Sequence, residues 1–273
     1  MTEFELISRI LPTLPKNESL VQGAGDDCAI LDLGIAERLV LLKTDAVVQD
    51  VHFTLEHPAD RVGRKALARA VSDLAAMAGQ PVSSLVTIGL PKDFDSGWVL
   101  LFYEGLNELA RELGMSVAGG ETTTSTGGIF VSVTVLGTIP RDRIVSRSTA
   151  RPGEAIFVTG ELGGSLAGKH LDFMPRLREA DWLASRFGVR TMMDLSDGLA
   201  GDLRHILHAS QVGAEIMASA IPISRAAKLK ARGESSAKPP LLAALTDGED
   251  FELLFTVASR EAVPLLDAWK EAF

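Results

Sequence analysis

Basic residues, cysteines and long apolar runs are all scarce in this chain, and each scarcity closes off a class of function. Lys and Arg number 27 against 36 Asp and Glu, leaving a formal net charge of -9 over 273 residues. Nucleic acid and anionic membrane are bound through basic surface that displaces counterions, so neither is an expected partner. If the protein binds a phosphate compound, metal ions must help offset the shared negative charge. The one cysteine, Cys28, excludes an internal disulfide and a cysteine-rich zinc site, which fits a reducing compartment. Set in an apolar run, it reads as a small core residue. No apolar stretch reaches the roughly 20 residues that span a bilayer, and the opening MTEFEL is acidic, so the expected location is cytoplasmic.

Familiar catalytic signatures are missing too. The chain has no G-x-x-x-x-G-K-[ST] loop, no G-x-S-x-G elbow and no HExxH, and its lone cysteine has no evident partner base. The run Gly160-Glu161-Leu162-Gly163-Gly164-Ser165 does not fit a dinucleotide fingerprint and is only a weak phosphate-loop signal.

What is present is an apolar content of 46%, ample for a buried core, arranged as alternating strand-like and helix-like segments. That alternation is an α/β pattern. Helices are expected over 3–11, 59–77, 96–113, 176–187 and 199–211. Strands are expected over 28–33, 39–44, 82–90, 115–118, 129–139, 155–159, 191–193 and 251–257. The turn-rich RSTARPGEA, from Arg147 to Ala155, is the candidate boundary between an N-terminal domain, 1–146, and a C-terminal domain, 147–273. The last residues, LLDAWKEAF, stop within a helical pattern, as consistent with a missing C-terminal segment as with a helical end.

The informative feature is where the acids fall. Asp26 and Asp27 stand side by side before a strand, Asp45 follows one in LLKTDAV, Glu121 follows Gly119-Gly120, and Asp194 and Asp197 lie in MMDLSDGL. Strand ends are where α/β proteins gather ligand groups. Asp73 lies within a helix, with Ala66 and Ala70 on its own side. Taken singly, each acid reads more readily as structural than as functional: Asp73 as a solvent partner of Arg69, and SDGL as a helix cap. Together, oxygen-only donors beside Gly, Ser or Thr match a hard cation such as magnesium rather than zinc, and point to metal-dependent phosphate chemistry.

In order, GAGDDCAIL, KTDAVVQDVHF, AVSDLAAMAGQP, AGGETT, SRSTARPGE, TGELGGSLAG, MDLSDGLAGDL and TDGEDFELLFT resemble the motifs of the thiamine-monophosphate kinases, within the aminoimidazole ribonucleotide synthetase superfamily. The resemblance implies a two-domain α/β (α+β) fold whose N-terminal sheet forms a homodimer. It also implies Mg-dependent transfer of the γ-phosphoryl group of ATP to thiamine monophosphate. Carried over position by position, metal contacts fall on Asp27, Lys43, Thr44, Asp45, Asp73, Glu121, Asp194 and Asp197. ATP contacts fall on Tyr103, Gly120, Glu121, Arg147 and Ser196, and substrate contacts on His52 and Glu249. No general base is implied, because the acceptor phosphate oxygen is already ionised and Mg-held transfer with Arg147 suffices. The family's usual GGDT reads GGET here, Lys43 replaces a small hydroxyl residue, and Asp50 stands where a glycine is expected before VHF. Asp50 therefore has to adopt a positive φ if that glycine's conformation is kept. Two alternatives remain open: another ATP-dependent synthetase of the superfamily, and an ATP-binding relative that has lost catalysis.

Overall fold

The computed structural model describes residues 3–234 and 236–273. Its order begins with α1 (Glu3–Ile10), β1 (Leu20–Gln22), β2 (Ala29–Leu31), β3 (Arg38–Val48), α2 (Ala59–Ala76), β4 (Gln80–Leu90), α3 (Ser96–Glu112), β5 (Ser116–Thr124) and β6 (Phe130–Pro140). It continues with β7 (Glu154–Val158), α4 (Lys169–Asp172), α5 (Leu177–Arg186), β8 (Thr191–Asp194), α6 (Leu199–Ser210), α7 (Arg225–Gly233), α8 (Pro240–Thr246), β9 (Leu253–Ala258) and α9 (Ala262–Ala272). The first six strands form one sheet in the order β1-β2-β3-β6-β4-β5, and the last three form a second in the order β7-β9-β8. Among the described strands only β4 and β5 run parallel; the other pairs are antiparallel.

Alternation along β6 explains the larger sheet. Val131, Val133, Val135 and Ile139 point into the core, while Ser132, Thr134 and Thr138 lie on the other face. The inner face packs on α2 and α3, whose axes approach closely because glycines stand at the crossing. A Cβ on Gly63 would lie 1.8 Å from the Phe102 carbonyl oxygen, and one on Gly105 1.9 Å from that of Asp60. The same helix α2 contributes Ala75 and Ala76 to the core of the second half, which includes Leu183, Met192 and Phe255. One helix therefore joins both cores.

Two strands run further than the sequence pattern indicated. Asp45 lies within β3, not after it, because β3 pairs with β6 along its whole length. The Gly119-Gly120 pair does not end β5; the strand passes through it to Thr124 in register with β4. Gly120 has to be glycine there, since a Cβ would sit 1.8 Å from the Val86 carbonyl oxygen. Asp50 has a φ of 60°, the conformation expected of a residue standing in for glycine.

Candidate functional site

Three elements from both halves of the chain converge on one acidic cluster. Asp27 precedes β2, Asp73 lies on α2, Asp194 ends β8, and each offers a carboxylate oxygen within 4.8 Å of the others. All are buried. Burial pushes Asp27 up to about 8, opposed by Arg147 and reinforced by Asp194 and Asp26. Asp73 is raised well above its ordinary value by burial and by Asp194, against the pull of Lys43. Asp194 is raised by burial, although the Ser72 hydroxyl donates to its Oδ2 at 2.6 Å.

Fixed cations offset only part of this repulsion. Lys43 Nζ donates to Asp73 Oδ1 at 2.8 Å, and Arg147 Nη2 donates to Asp27 Oδ1 at 2.6 Å. Asp26 turns away from the cluster, accepting from Gln22 at 2.8 Å, the Ser146 hydroxyl at 2.6 Å and the Arg147 amide at 3.2 Å. Among the described residues, Asp27 Oδ2 is buried without a hydrogen-bond partner. An orphaned carboxylate oxygen among buried acids, with oxygen as the only donor, fits a hard divalent cation. The adjacent aspartates thus divide the work: Asp26 anchors the Arg147 main chain, and Asp27 holds the Arg147 guanidinium and faces the cluster.

A second group of candidates adjoins the first along α2. Arg69 Nε donates to Asp45 Oδ2 at 3.1 Å and its Nη1 to Glu249 Oε1 at 2.7 Å, so Arg69 does not pair with Asp73. Glu249 sits in a left-handed turn with φ 56°, its amide donating to the Ser196 carbonyl at 2.7 Å. Burial acts against its charge, but the hydrogen bond from His170 and the charges of Lys65 and Arg69 hold its carboxyl down at about 2. His52 Nδ1 accepts from the Val48 amide at 3.0 Å, which places any proton of the neutral ring on Nε2. Burial and the nearby Arg69 lower the His52 pKa.

Other expected residues are not among the clustered carboxylates. Thr44 shares the open face of the larger sheet with Ser132 and Thr134, whose hydroxyls lie 3.1 Å from its own, opposite to the face that carries Lys43 and Asp45. Glu121 pairs with Thr87 and follows Gly120 on edge strand β5, three strands from β3, or about 14 Å at ordinary strand spacing. Tyr103 is partly buried on α3, its ring edge-on to Phe102 at 5.5 Å. Ser196 and exposed Asp197 follow β8, and the Asp197 amide donates to Asp202 at 3.0 Å. The glycine-rich loop does not hold its amides open for phosphate: Gly163 donates to Asp250 at 2.9 Å and Gly164 to Asp247 at 3.1 Å.

As site residues, Lys65, Arg69 and His170 went unread in the sequence, Arg69 being read only as a partner of Asp73. A signal existed for the first two: with Asp73 they form an i, i+4, i+8 series on one helix face.

The fold and its acidic interdomain cluster define a class. Residues 25–139 match the AIR synthase related protein N-terminal domain and 151–271 the corresponding C-terminal domain, so the chain belongs to the AIR synthase related proteins. Within that class it is a member of the thiamine-monophosphate kinase family. It is 40% identical over 247 residues to the thiamine-monophosphate kinase of Rhodopirellula baltica, covering 88% of this chain and 77% of the relative. It is 36% identical over 287 residues to that of Bacillus subtilis, covering 96% and 85%. Its structure superposes on AaThiL complexed with AMPPCP and TMP with a TM-score of 0.86 at 31% identity, covering 96% of this chain and 87% of that one.

Proposed function

We propose that this chain catalyses ATP-dependent phosphorylation of thiamine monophosphate to thiamine diphosphate. The observation that carries the reading is the buried cluster of Asp27, Asp73 and Asp194, with its unpartnered Asp27 oxygen, in a chain of this family. Asp27, Asp73 and Asp194 are the residues to hold magnesium, with Asp45 beside them on Arg69. Bound there, magnesium supplies charge neutralisation for phosphates that otherwise repel one another and the acids.

The protein groups do the positioning. Arg147, fixed by Asp26 and Asp27, presents a guanidinium at the edge of the cluster, suited to a phosphate oxygen of ATP. Arg69 joins Asp45 to Glu249 and so ties the acidic end to the turn that takes the organic part of the substrate. His52 Nε2 and Glu249 are the polar groups for that part. An acceptor phosphate ionised at neutral pH leaves no proton for a base to remove. Gly120, Glu121, Ser196 and Tyr103 remain the expected nucleotide contacts and Asp197 a further metal contact, whereas Thr44, whose hydroxyl lies on the open sheet face, reaches that side only through its main chain; the open face carrying Leu42, Leu85 and Phe130 is the surface for a homodimer. No helix among the described residues is long and apolar enough to cross a membrane, in keeping with a cytoplasmic enzyme.

The test is formation of thiamine diphosphate from ATP and thiamine monophosphate with magnesium, on wild type beside Asp45→Asn and Glu121→Asp. Product from wild type that is lost in Asp45→Asn supports the kinase and its acidic site. No product, despite binding of magnesium and ATP, points to a relative that has lost catalysis.

A further inference from the structure

Lys65 lies in the middle of α2 with its side chain fully buried, and none of its hydrogen bonds reaches the acidic cluster. Full burial of an ammonium is costly unless every N–H finds an acceptor. Here three acceptors surround it: the His52 carbonyl at 2.7 Å, His170 Nδ1 at 2.8 Å and Glu249 Oε2. The first belongs to the N-terminal half of the chain and the other two to the C-terminal half. Two of the three partners are the residues proposed for the organic part of the substrate.

The turn that carries Glu249 is fixed from several sides. Its amide donates to the Ser196 carbonyl at 2.7 Å, and Ser165 Oγ donates to its carbonyl at 2.5 Å. Gly248 at φ 68° and Phe251 at φ 49° complete a backbone whose form side chains rarely choose unaided. The main chain therefore leaves the carboxylate's direction to its side-chain partners. Arg69 holds Oε1 at 2.7 Å and Lys65 holds Oε2. His170 Nδ1 lies 3.2 Å from the same Oε2 and serves Lys65 as an acceptor or Glu249 as a donor, one at a time. Its ring is braced edge-on by His57 at 5.6 Å.

From Lys65 to Asp73 along one face of α2 is eight residues, about 12 Å of helix. The helix thus spaces the acidic, phosphate end of the site from the end occupied by Glu249 and His52. We propose that Lys65 is a positioning residue for the thiamine end of the acceptor: it aims Glu249 and fixes the His52 loop, without contacting the nucleotide. This rests on the kinase reading above.

The experiment compares steady-state kinetics of wild type, Lys65→Met and His170→Ala, varying each substrate separately. In Lys65→Met the expected result is a KM for thiamine monophosphate raised about tenfold or more, with the KM for ATP within about threefold of wild type. A general loosening of the fold moves both KM values together, and that outcome, or no change in either, overturns the proposal. If Lys65→Met does not fold, His170→Ala decides, because it removes one partner of Lys65 and leaves Lys65 and Arg69 paired with Glu249. A selective, several-fold rise for thiamine monophosphate is expected there, and unaltered kinetics overturn the proposal. Should wild type form no thiamine diphosphate, the kinase reading fails by itself. Calorimetric binding of thiamine monophosphate to wild type and Lys65→Met is then decisive: weaker binding in the variant supports the positioning role, and equal binding or none overturns it.

Discussion

Replacing Glu249 by Gln removes a charge while keeping the shape of the side chain, and the structure sets the size of the effect. The carboxyl is displaced from an ordinary 4.5 to about 2 by His170, Lys65 and Arg69, which overcome the cost of burial. At about 1.4 kcal/mol per decade, the charged form in the folded protein gains about 3 kcal/mol over the neutral one at pH 7. The sign follows from proton counts: between the two values the unfolded chain binds more protons than the folded one. The stabilisation is therefore complete above the unfolded value and is lost as pH falls toward 2. Urea unfolding followed by tryptophan fluorescence, on protein without ligands, should show Glu249→Gln weaker than wild type by about 3 kcal/mol at pH 7. The gap should narrow to about 2 kcal/mol by pH 3.5. A gap below about 1 kcal/mol at pH 7, or one that stays level down to pH 3.5, refutes the idea that Lys65 and Arg69 hold this carboxylate.

Asp194→Asn should stabilise the protein without added metal, by roughly 2 kcal/mol in urea unfolding at pH 7, since it removes a buried charge raised by burial and by Asp45. The same variant should bind magnesium at least about tenfold more weakly by calorimetry, and stabilisation without that loss would separate Asp194 from the metal. Gly120→Ala should cost about 3 kcal/mol or more and free the edge of β5 to hydrogen exchange, because its Cβ meets the Val86 carbonyl at 1.8 Å. In Gly63→Ala the Cβ meets the Phe102 carbonyl at 1.8 Å, so α2 and α3 must part. Its melting temperature should fall by several degrees, and an unchanged value would contradict the close helix crossing.

Much of the fold was legible because its signals are local. The helical stretch of α2 and the β-rich run of β6 gave those elements nearly to the residue. The extension of β3 past Asp45, and of β5 through Gly119-Gly120, was not legible, since glycine ordinarily marks a turn. Both follow from pairing with strands distant in the sequence. Strand β1 and helices α4 and α8 are too short to carry a period. Among the site residues, Asp27, Asp73 and Asp194 could be named from motifs, but their meeting within 4.8 Å depends on the second half of the chain folding against α2. Lys65 escaped notice for the same reason, because a helical lysine is usually solvated, and here burial makes it part of the site.

That dependence also explains how an acidic cluster can be held together ahead of cation binding. Lys43 and Arg147 each neutralise one carboxylate, Ser72 serves a third, and Asp27 Oδ2 is left unserved. The remaining repulsion works against the folded state, yet the acids cannot separate. Asp73 is fixed in a helix whose other residues pack both cores, and Asp194 ends a fully buried strand. Rigidity supplied by packing thus keeps together charges that would otherwise disperse, and a divalent cation bound there, as proposed above, would gain the free energy of relieving them. Helix α2 therefore has two tasks that pull in the same direction. Its apolar residues join the two cores, and its polar face, from Lys65 through Arg69 to Asp73, holds both ends of the site in one register.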